Sequence, residues 1–211
     1  MIEALERAAA RPVSRETFGL LERYIDLLKA ANRTQNLIAA STLDRIWERH
    51  ILDSVQLVRF EPRAGASWVD IGSGAGLPGI VIAALTEGRV TLVEPRRLRA
   101  MFLEEIVAAL GLARRITVQP AKIENIRGQF DVITARAVAP LGRLLGLAHH
   151  LAHSGTVWAL PKGKNANSEL AEAQRSWHCD VRSEASCTDP AAMILVLSAV
   201  RAKRVRAKSK R

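Results

Sequence analysis

Asp70 is followed by glycines at alternate positions, Asp70-x-Gly72-x-Gly74-x-Gly76, within the stretch WVDIGSGAGLPG from Trp68 to Gly79. Trp68, Val69 and Ile71 are strand formers, and Pro78 opens a helical pattern that continues to Leu85. Glycine lets a ligand lie against bare main chain and lets the backbone take positive φ. A helix start beyond it presents unpaired N–H groups, and proline is tolerated in that first turn. Strand, glycine turn and helix start together make a cradle for a nucleotide-like ligand. Gly74-x-Gly76-x-x-Gly79 also fits the letters of the dinucleotide fingerprint. A pyrophosphate would be poorly placed beside a fixed carboxylate at Asp70, whereas the ammonium and sulfonium of S-adenosylmethionine would be well placed. Glu94 closes the next strand pattern, VTLVE, 22 residues after Gly72. That is close to the ~20-residue spacing at which a carboxylate meets ribose hydroxyls. The blander alternative is that Asp70 caps the glycine turn and Glu94 is an ordinary strand-end acid.

Further polar groups fall into two sets. Arg49 and Asp53 are four residues apart, as are His50 and Ser54, so each pair shares one side of a helix. Either they form an intrahelical ion pair beside a partly buried histidine, or they turn a polar face to the cofactor. Arg96, Arg97 and Arg99 follow Glu94, and Lys162 and Lys164 follow the fifth strand pattern. Basic residues clustered at one ligand-binding edge suit phosphate contacts to RNA. Cys179 and Cys187 are eight apart with no partner cluster, which suits reduced, structural thiols and leaves no expected metal site.

The elements that must position these residues alternate. Strand patterns lie at Trp68–Ile71, Val90–Glu94, Ile116–Gln119, Asp131–Ala135, Thr156–Leu160, about Asp180–Ala185, and Met193–Ala199. Helical patterns intervene at Pro78–Leu85, Arg97–Leu110, Ile123–Ile126 (one short turn) and Leu141–Leu151, with Ser168–Trp177 after the fifth strand. Alternation of this kind implies an α/β fold with a mostly parallel sheet covered on both faces. The last two strand patterns are joined only by a loop containing Pro190, which favours an antiparallel edge hairpin. Before the sheet, Ser14 starts a helix through Phe18, Leu21, Ile25 and Leu28, and a second begins near Ser41-Thr42. The expected organisation is a helical extension over 1–64, with Phe60–Gly65 as a hinge, a core over 65–200 and a tail over 201–211.

The chain has 211 residues, 48% of them hydrophobic, enough for one α/β core. Neither an apolar run of ~20 residues nor an apolar signal core is present, so a cytoplasmic protein without a membrane partner is expected. Formal charge is +10, but the last eleven residues hold seven basic residues and no acid, which leaves +3 for residues 1–200. The tail is therefore either a polyanion-seeking element or a solvated, disordered end.

Five stretches in order, NLIAASTLDRIWERHILDS, WVDIGSGAGLPGIVIA, LVEPRRLRAMFLEEIVAALGL, FDVITARAVAPL and ALPKG, resemble one family. It is the bacterial 16S rRNA guanine-N7 methyltransferase G family, also called glucose-inhibited division protein B, and the likeness runs from about Asn36 to Gly163. The resemblance implies a class I, Rossmann-like, S-adenosylmethionine-dependent methyltransferase with a seven-stranded sheet and a helical N-terminal extension. It implies action on a guanine in the decoding-region loop of 16S rRNA in the small ribosomal subunit. The protein is expected to be a monomer. Carried onto this sequence, cofactor contacts would include Gly72, Leu77, Ile123, Glu124 and Arg136, beside Asp70, Gly74, Gly76 and Glu94. His50, Asp53 and Arg136 are the candidates for positioning the reacting groups.

An N7 acceptor suits what the residues lack. Guanine N7 carries a lone pair and no proton, so alignment rather than a general base supplies most of the catalysis. Methylation of exocyclic amines commonly uses an Asn/Asp-Pro-Pro-Tyr-type loop after strand four, where this chain reads Ala135-Arg136-Ala137-Val138-Ala139-Pro140. Pyrimidine C5 methylation needs a core cysteine, and both cysteines are expected outside the strand-end loops near the cofactor. Two other readings stay open from sequence. One is an NAD-dependent oxidoreductase, and the other is a non-catalytic RNA-binding protein on a methyltransferase scaffold.

Overall fold

Seven strands form one sheet, in the order β3-β2-β1-β4-β5-β7-β6, in the computed structural model, which describes residues 1–203. They are β1 (Trp68–Ile71), β2 (Val90–Val93), β3 (Ile116–Gln119), β4 (Phe130–Ala135), β5 (Ala152–Lys162), β6 (Trp177–Ala185) and β7 (Met193–Ala202). The pairings from β3 through β5 are parallel, and β7 runs antiparallel to both β5 and β6. All four residues of β1 are buried, as an interior parallel strand covered on both faces requires. β7 continues to Ala202, which pairs with Trp177, so the sheet extends past the boundary at 200 expected from sequence. The remainder of the basic tail, 204–211, lies outside the described residues.

Helices α1 (Ile2–Ala9), α2 (Arg15–Asn32), α4 (Gly79–Leu85) and α5 (Arg97–Ala109) cover one face, with the single turn α3 (Asp53–Val55). Helices α6 (Leu141–Ala148) and α7 (Ala166–Ala173) cover the other. Ser14 caps α2 by accepting from the Thr17 N–H, as its sequence pattern predicts. Leu5, Leu21 and Leu28 share one continuous apolar cluster with Ile80, Leu92 and Leu103. The N-terminal helices are therefore a layer of the same core. The expected hinge is tied down: Arg11 bonds Glu61 at 2.8 Å and Arg63 bonds Asp131 at 2.9 Å.

Residues 40–60 wind unevenly. A 3-10 stretch (Ala40–Arg45) passes into a π-helix (Trp47–Leu52), then α3, then 3-10 again (Gln56–Phe60). The intrahelical ion pair between Arg49 and Asp53 considered from sequence does not form, because each meets a partner from a distant element. Arg49 instead reaches Asp189 at 3.1 Å, and Asp53 faces Arg136 at 3.6 Å.

Candidate active site

The glycine loop is held from below by three buried side chains. Asp70 is fully buried at the end of β1, and its Oδ2 accepts from the Gly79 N–H at 3.0 Å in the first turn of α4. Its Oδ1 has no hydrogen-bond partner among the described residues. Burial pushes this carboxyl up to about 6, against the hydrogen bond from Gly79. Glu94, 3% exposed, accepts from the Gly74 N–H at 3.0 Å and from the Arg96 N–H at 2.9 Å. Tyr24 of α2, fully buried, donates to the Ala75 carbonyl at 2.8 Å, and burial raises its phenol pKa. The sequence did not single out Tyr24, although it widens the apolar stripe of α2.

Tyr24→Phe leaves that buried carbonyl without its donor, at a cost of about 1–3 kcal/mol. At ~2–4 °C per kcal/mol for a chain of this size, the melting temperature should drop by several degrees. Faster hydrogen exchange at the Gly76 and Leu77 amides should accompany it; unchanged exchange would detach α2 from the loop.

Above the loop, the glycines differ. A Cβ built at Gly72 would come 2.6 Å from Val138 Cγ2, so the loop after β4 lies directly on Gly72. At Gly74 nothing comes closer than 3.7 Å, where Arg99 Nη1 and the Gly72 carbonyl stand. The space over Gly74 is thus open, bordered by Arg99 and walled below by Glu94. Arg99 also donates to the Asn36 carbonyl at 3.4 Å, bridging the loop to the end of the N-terminal layer.

A cleft of about 460 Å³ adjoins this cradle at the ends of β4 and β5, closed by the turn between β6 and β7. Arg136 stands in its wall, with Nη1 3.2 Å from His50 Nδ1 and 3.6 Å from Asp53 Oδ2. A guanidinium only donates, so Nδ1 must be the bare nitrogen of His50. Nε2–H then donates to Thr42 Oγ1 at 2.8 Å, and the Thr42 hydroxyl in turn donates to the Ala39 carbonyl at 2.7 Å. Burial, with the charges of Arg136 and Arg49, pushes His50 down to about 4 and keeps it neutral. Asp53 Oδ1 accepts from Gln56 Nε2 at 3.0 Å and from Thr188 Oγ1 at 3.1 Å. Lys162 donates to Glu169 at 2.9 Å and to the Ala139 carbonyl at 3.2 Å, and Glu169 also accepts from the Leu141 N–H at 2.9 Å. Each carboxylate of the cleft is therefore paired with a cation: Asp53 with Arg136, Asp189 with Arg49, Glu169 with Lys162.

A family model described as GidB, rRNA small subunit methyltransferase G, matches residues 18–192. The chain belongs to that family. A ribosomal RNA small subunit methyltransferase G of Zymomonas mobilis is 46% identical over 201 residues, covering 91% of this chain and 90% of the relative. One from Rhizorhabdus wittichii is 49% identical over 191 residues, covering 89% and 88%. Among solved structures, a SAM-dependent methyltransferase from Aquifex aeolicus is similar at a TM-score of 0.59 and 14% identity, covering 83% of this chain and 98% of that one. A ribosomal protein L11 methylase from Lactobacillus delbrueckii is similar at a TM-score of 0.60 and 17% identity, covering 72% and 78%. These two likenesses concern the methyltransferase fold.

Within this methyltransferase G fold, the residues expected from sequence separate by place. Asp70, Gly72, Gly74, Gly76 and Glu94 build the cradle, and Leu77 and Ile123 are buried. Glu124, Arg96, Arg97 and Lys164 are exposed. Asp70 does cap the turn, as the blander alternative had it, while keeping one oxygen unpartnered. Lys162 departs from the expected phosphate-binding surface: its side chain is 11% exposed and engaged by Glu169, fixing the loop after β4. Cys187 also departs, standing in the turn between β6 and β7, where its N–H donates to Gln56 Oε1 at 3.0 Å. Partial desolvation, with the Asp53 charge nearby, raises the thiol pKa of this exposed residue, which disfavours a nucleophilic thiolate. Val138, Gln56 and Thr188 were not anticipated, because nothing local in the sequence signals partners more than 60 residues away.

Proposed function

We propose that this protein is an S-adenosylmethionine-dependent methyltransferase that modifies N7 of a guanine in 16S rRNA of the small ribosomal subunit. The observation that carries the N7 reading is the cleft beside the cradle, where every carboxylate is ion-paired and no free general base stands among the described residues. Such a cleft fits a nucleophile with no proton to lose. The cradle fits the cofactor: Gly74 leaves open main chain, and the unpartnered Asp70 oxygen supplies a negative environment beneath it. When bound, S-adenosylmethionine supplies an electrophilic methyl on a sulfonium. The chain's own residues then hold and orient. The loop from Arg136 to Pro140 separates cradle from cleft, and Arg136 offers donors for the base oxygen. The Asp53 carboxylate offsets the positive charge that the ring acquires. No helix of the described residues is long and apolar enough to cross a membrane, and ribosomal RNA as substrate supports a cytoplasmic location.

The test is labelled-methyl transfer to unmethylated small subunits, with nucleoside analysis of the RNA. 7-methylguanosine is expected; label on an exocyclic amine or no transfer would refute the reading. Calorimetry should show S-adenosylhomocysteine binding and no NAD binding.

Asp70 gives a pH signature. Its folded pKa, about 6, lies above the reference of 3.8, so the neutral form is the one the fold prefers. Its stabilising contribution is full below pH 3.8 and is lost as pH rises through about 6. The ionised form is what would attract a cationic ligand. Affinity for S-adenosylhomocysteine, whose ammonium remains charged in this range, should therefore increase as pH passes about 6. In Asp70→Asn the profile should be flat across that window; a rise matching wild type would assign the effect elsewhere.

A further inference from the structure

A second cleft, of about 620 Å³, opens between the start of the unevenly wound segment and the end of α2, and shares no lining residue with the first. The methyl-transfer reading leaves it unused. Trp47 lines it, with its ring stacked on Phe18 at 5.3 Å and 12°, so the plane of the indole is fixed from behind. Lys29 and Arg33 line it too, both exposed and, among the described residues, in no ion pair. Asn36 and Asp44 add an amide and a carboxylate. A rigid aromatic platform with two free cations beside it is the combination that holds an unpaired nucleotide: base on ring, phosphate on ammonium and guanidinium.

Its position ties it to the reaction. Trp47 in this cleft and Asp53 in the first lie on one helical run, six residues apart. Arg99 joins the two regions again, reaching the Asn36 carbonyl at 3.4 Å while standing 3.7 Å from the Cβ position of Gly74. One strand of RNA crossing the mouth of the cradle would meet both clefts.

We propose that the Trp47 cleft captures an unpaired nucleotide flanking the target guanosine. The proposal rests on the reading that the substrate is ribosomal RNA. Double-stranded RNA would not fill it, because paired bases cannot present a face to the indole, whereas loops and splayed bases can. The cleft thus contributes to choosing the site of modification, by requiring an extrahelical neighbour at a fixed reach from the reacting base.

The test uses the full chain and small subunits lacking the modification. Lys29→Ala/Arg33→Ala changes two exposed side chains and should leave folding and S-adenosylhomocysteine affinity unaltered. KM for the subunit should rise about tenfold with kcat within about twofold. The slope of log affinity against log salt should fall by ~1.4, since each removed cation leaves one single-strand phosphate un-neutralised at ~0.7 apiece. Trp47→Ala should raise KM likewise, and Trp47→Tyr, which keeps an aromatic face, should restore most of it. Unchanged KM and salt slope in the double variant would overturn the proposal. So would quenching of Trp47 fluorescence by free guanosine monophosphate with no effect of the double variant on RNA affinity, which would mark a small-molecule site. Should wild type fail to form 7-methylguanosine, the functional reading falls, and the salt slopes for RNA still decide the cleft on their own.

Discussion

Gly74→Val should abolish measurable S-adenosylhomocysteine binding while the protein stays folded. The backbone at Gly74 has φ +54, a left-handed conformation that costs a β-branched residue on the order of 1–2 kcal/mol. That lowers the melting temperature by only several degrees, at ~2–4 °C per kcal/mol. At the Cβ position the nearest atoms, Arg99 Nη1 and the Gly72 carbonyl, stand at an ordinary contact distance of 3.7 Å. What the valine would fill is the open space over the loop, where the cofactor is proposed to lie. Gly79→Ala provides the contrast. Its Cβ would fall 2.2 Å from Leu92 Cδ2 and 2.8 Å from Asp70 Oδ2, so its first effect should be loss of stability. Calorimetry and thermal unfolding on both variants separate the two mechanisms. Retained binding in folded Gly74→Val would remove the glycine loop from the cofactor site.

The contrast between these glycines also marks how far the sequence could be read. Asp70-x-Gly72-x-Gly74-x-Gly76 is legible because a glycine turn between a strand and a helix is a local device with a local cause. The edge hairpin of β6 and β7 is legible for the same reason: two strand patterns with no helix between them must pair directly. Partners brought together by the fold are not. Arg49 and Asp53 look like a helical pair at four-residue spacing, but each is taken by an opposite charge that only the fold brings near. Their actual partners, Asp189 and Arg136, lie on the far side of the sheet sequence. Glu94 was legible as an acid at the right strand end, yet its hydrogen bonds hold the cradle's own backbone. Lys162 read as a surface cation because nothing in its neighbours predicts that Glu169 of α7 folds back onto it. Helix α1 falls within the helical extension expected over 1–64 but is not drawn as an element of its own: eight residues with three alanines carry too little pattern, and packing of Leu5 into the core sustains it.

The N-terminal layer consequently does more than cover apolar surface. Tyr24 holds the glycine loop, His50 and Asp53 hold Arg136, and Arg49 and Gln56 hold the turn between β6 and β7. Two walls of the cleft, Arg136 and the turn between β6 and β7, are secured by residues from before the first strand. Separate expression of the sheet domain would leave these partners unsatisfied.

Arg136→Ala is the second change expected to have a large effect, on turnover rather than on folding. The guanidinium is fixed by His50 Nδ1 at 3.2 Å and faces Asp53 Oδ2 at 3.6 Å, between cradle and cleft. Both members of the Arg136–Asp53 pair keep part of their surface in water, at 23% and 19% exposure. Breaking it should therefore cost stability only on the order of 1 kcal/mol. Removing a preorganised donor beside the reacting base should lower kcat by ~10²–10³-fold. Arg136→Lys should recover a minor part, since an ammonium cannot span the imidazole and the carboxylate with one planar fork. His50 explains when this support is complete. Its folded pKa, about 4, lies below the reference of 6.5, so the neutral acceptor stabilises the fold above pH 6.5 and that contribution is lost as pH falls through 4. Assays at pH 7–8 keep His50 neutral throughout. Under those conditions His50→Asn, which can still present an acceptor near Nδ1, should retain more activity than His50→Phe. A double-mutant cycle with Asp53→Asn then apportions the effect: strong coupling means that Asp53 acts by placing Arg136, and additive losses mean that each meets the base independently. Single-turnover methyl transfer is the deciding measurement. A rate for Arg136→Ala within twofold of wild type would leave Arg136 as a structural link between layers, with no part in orienting the base.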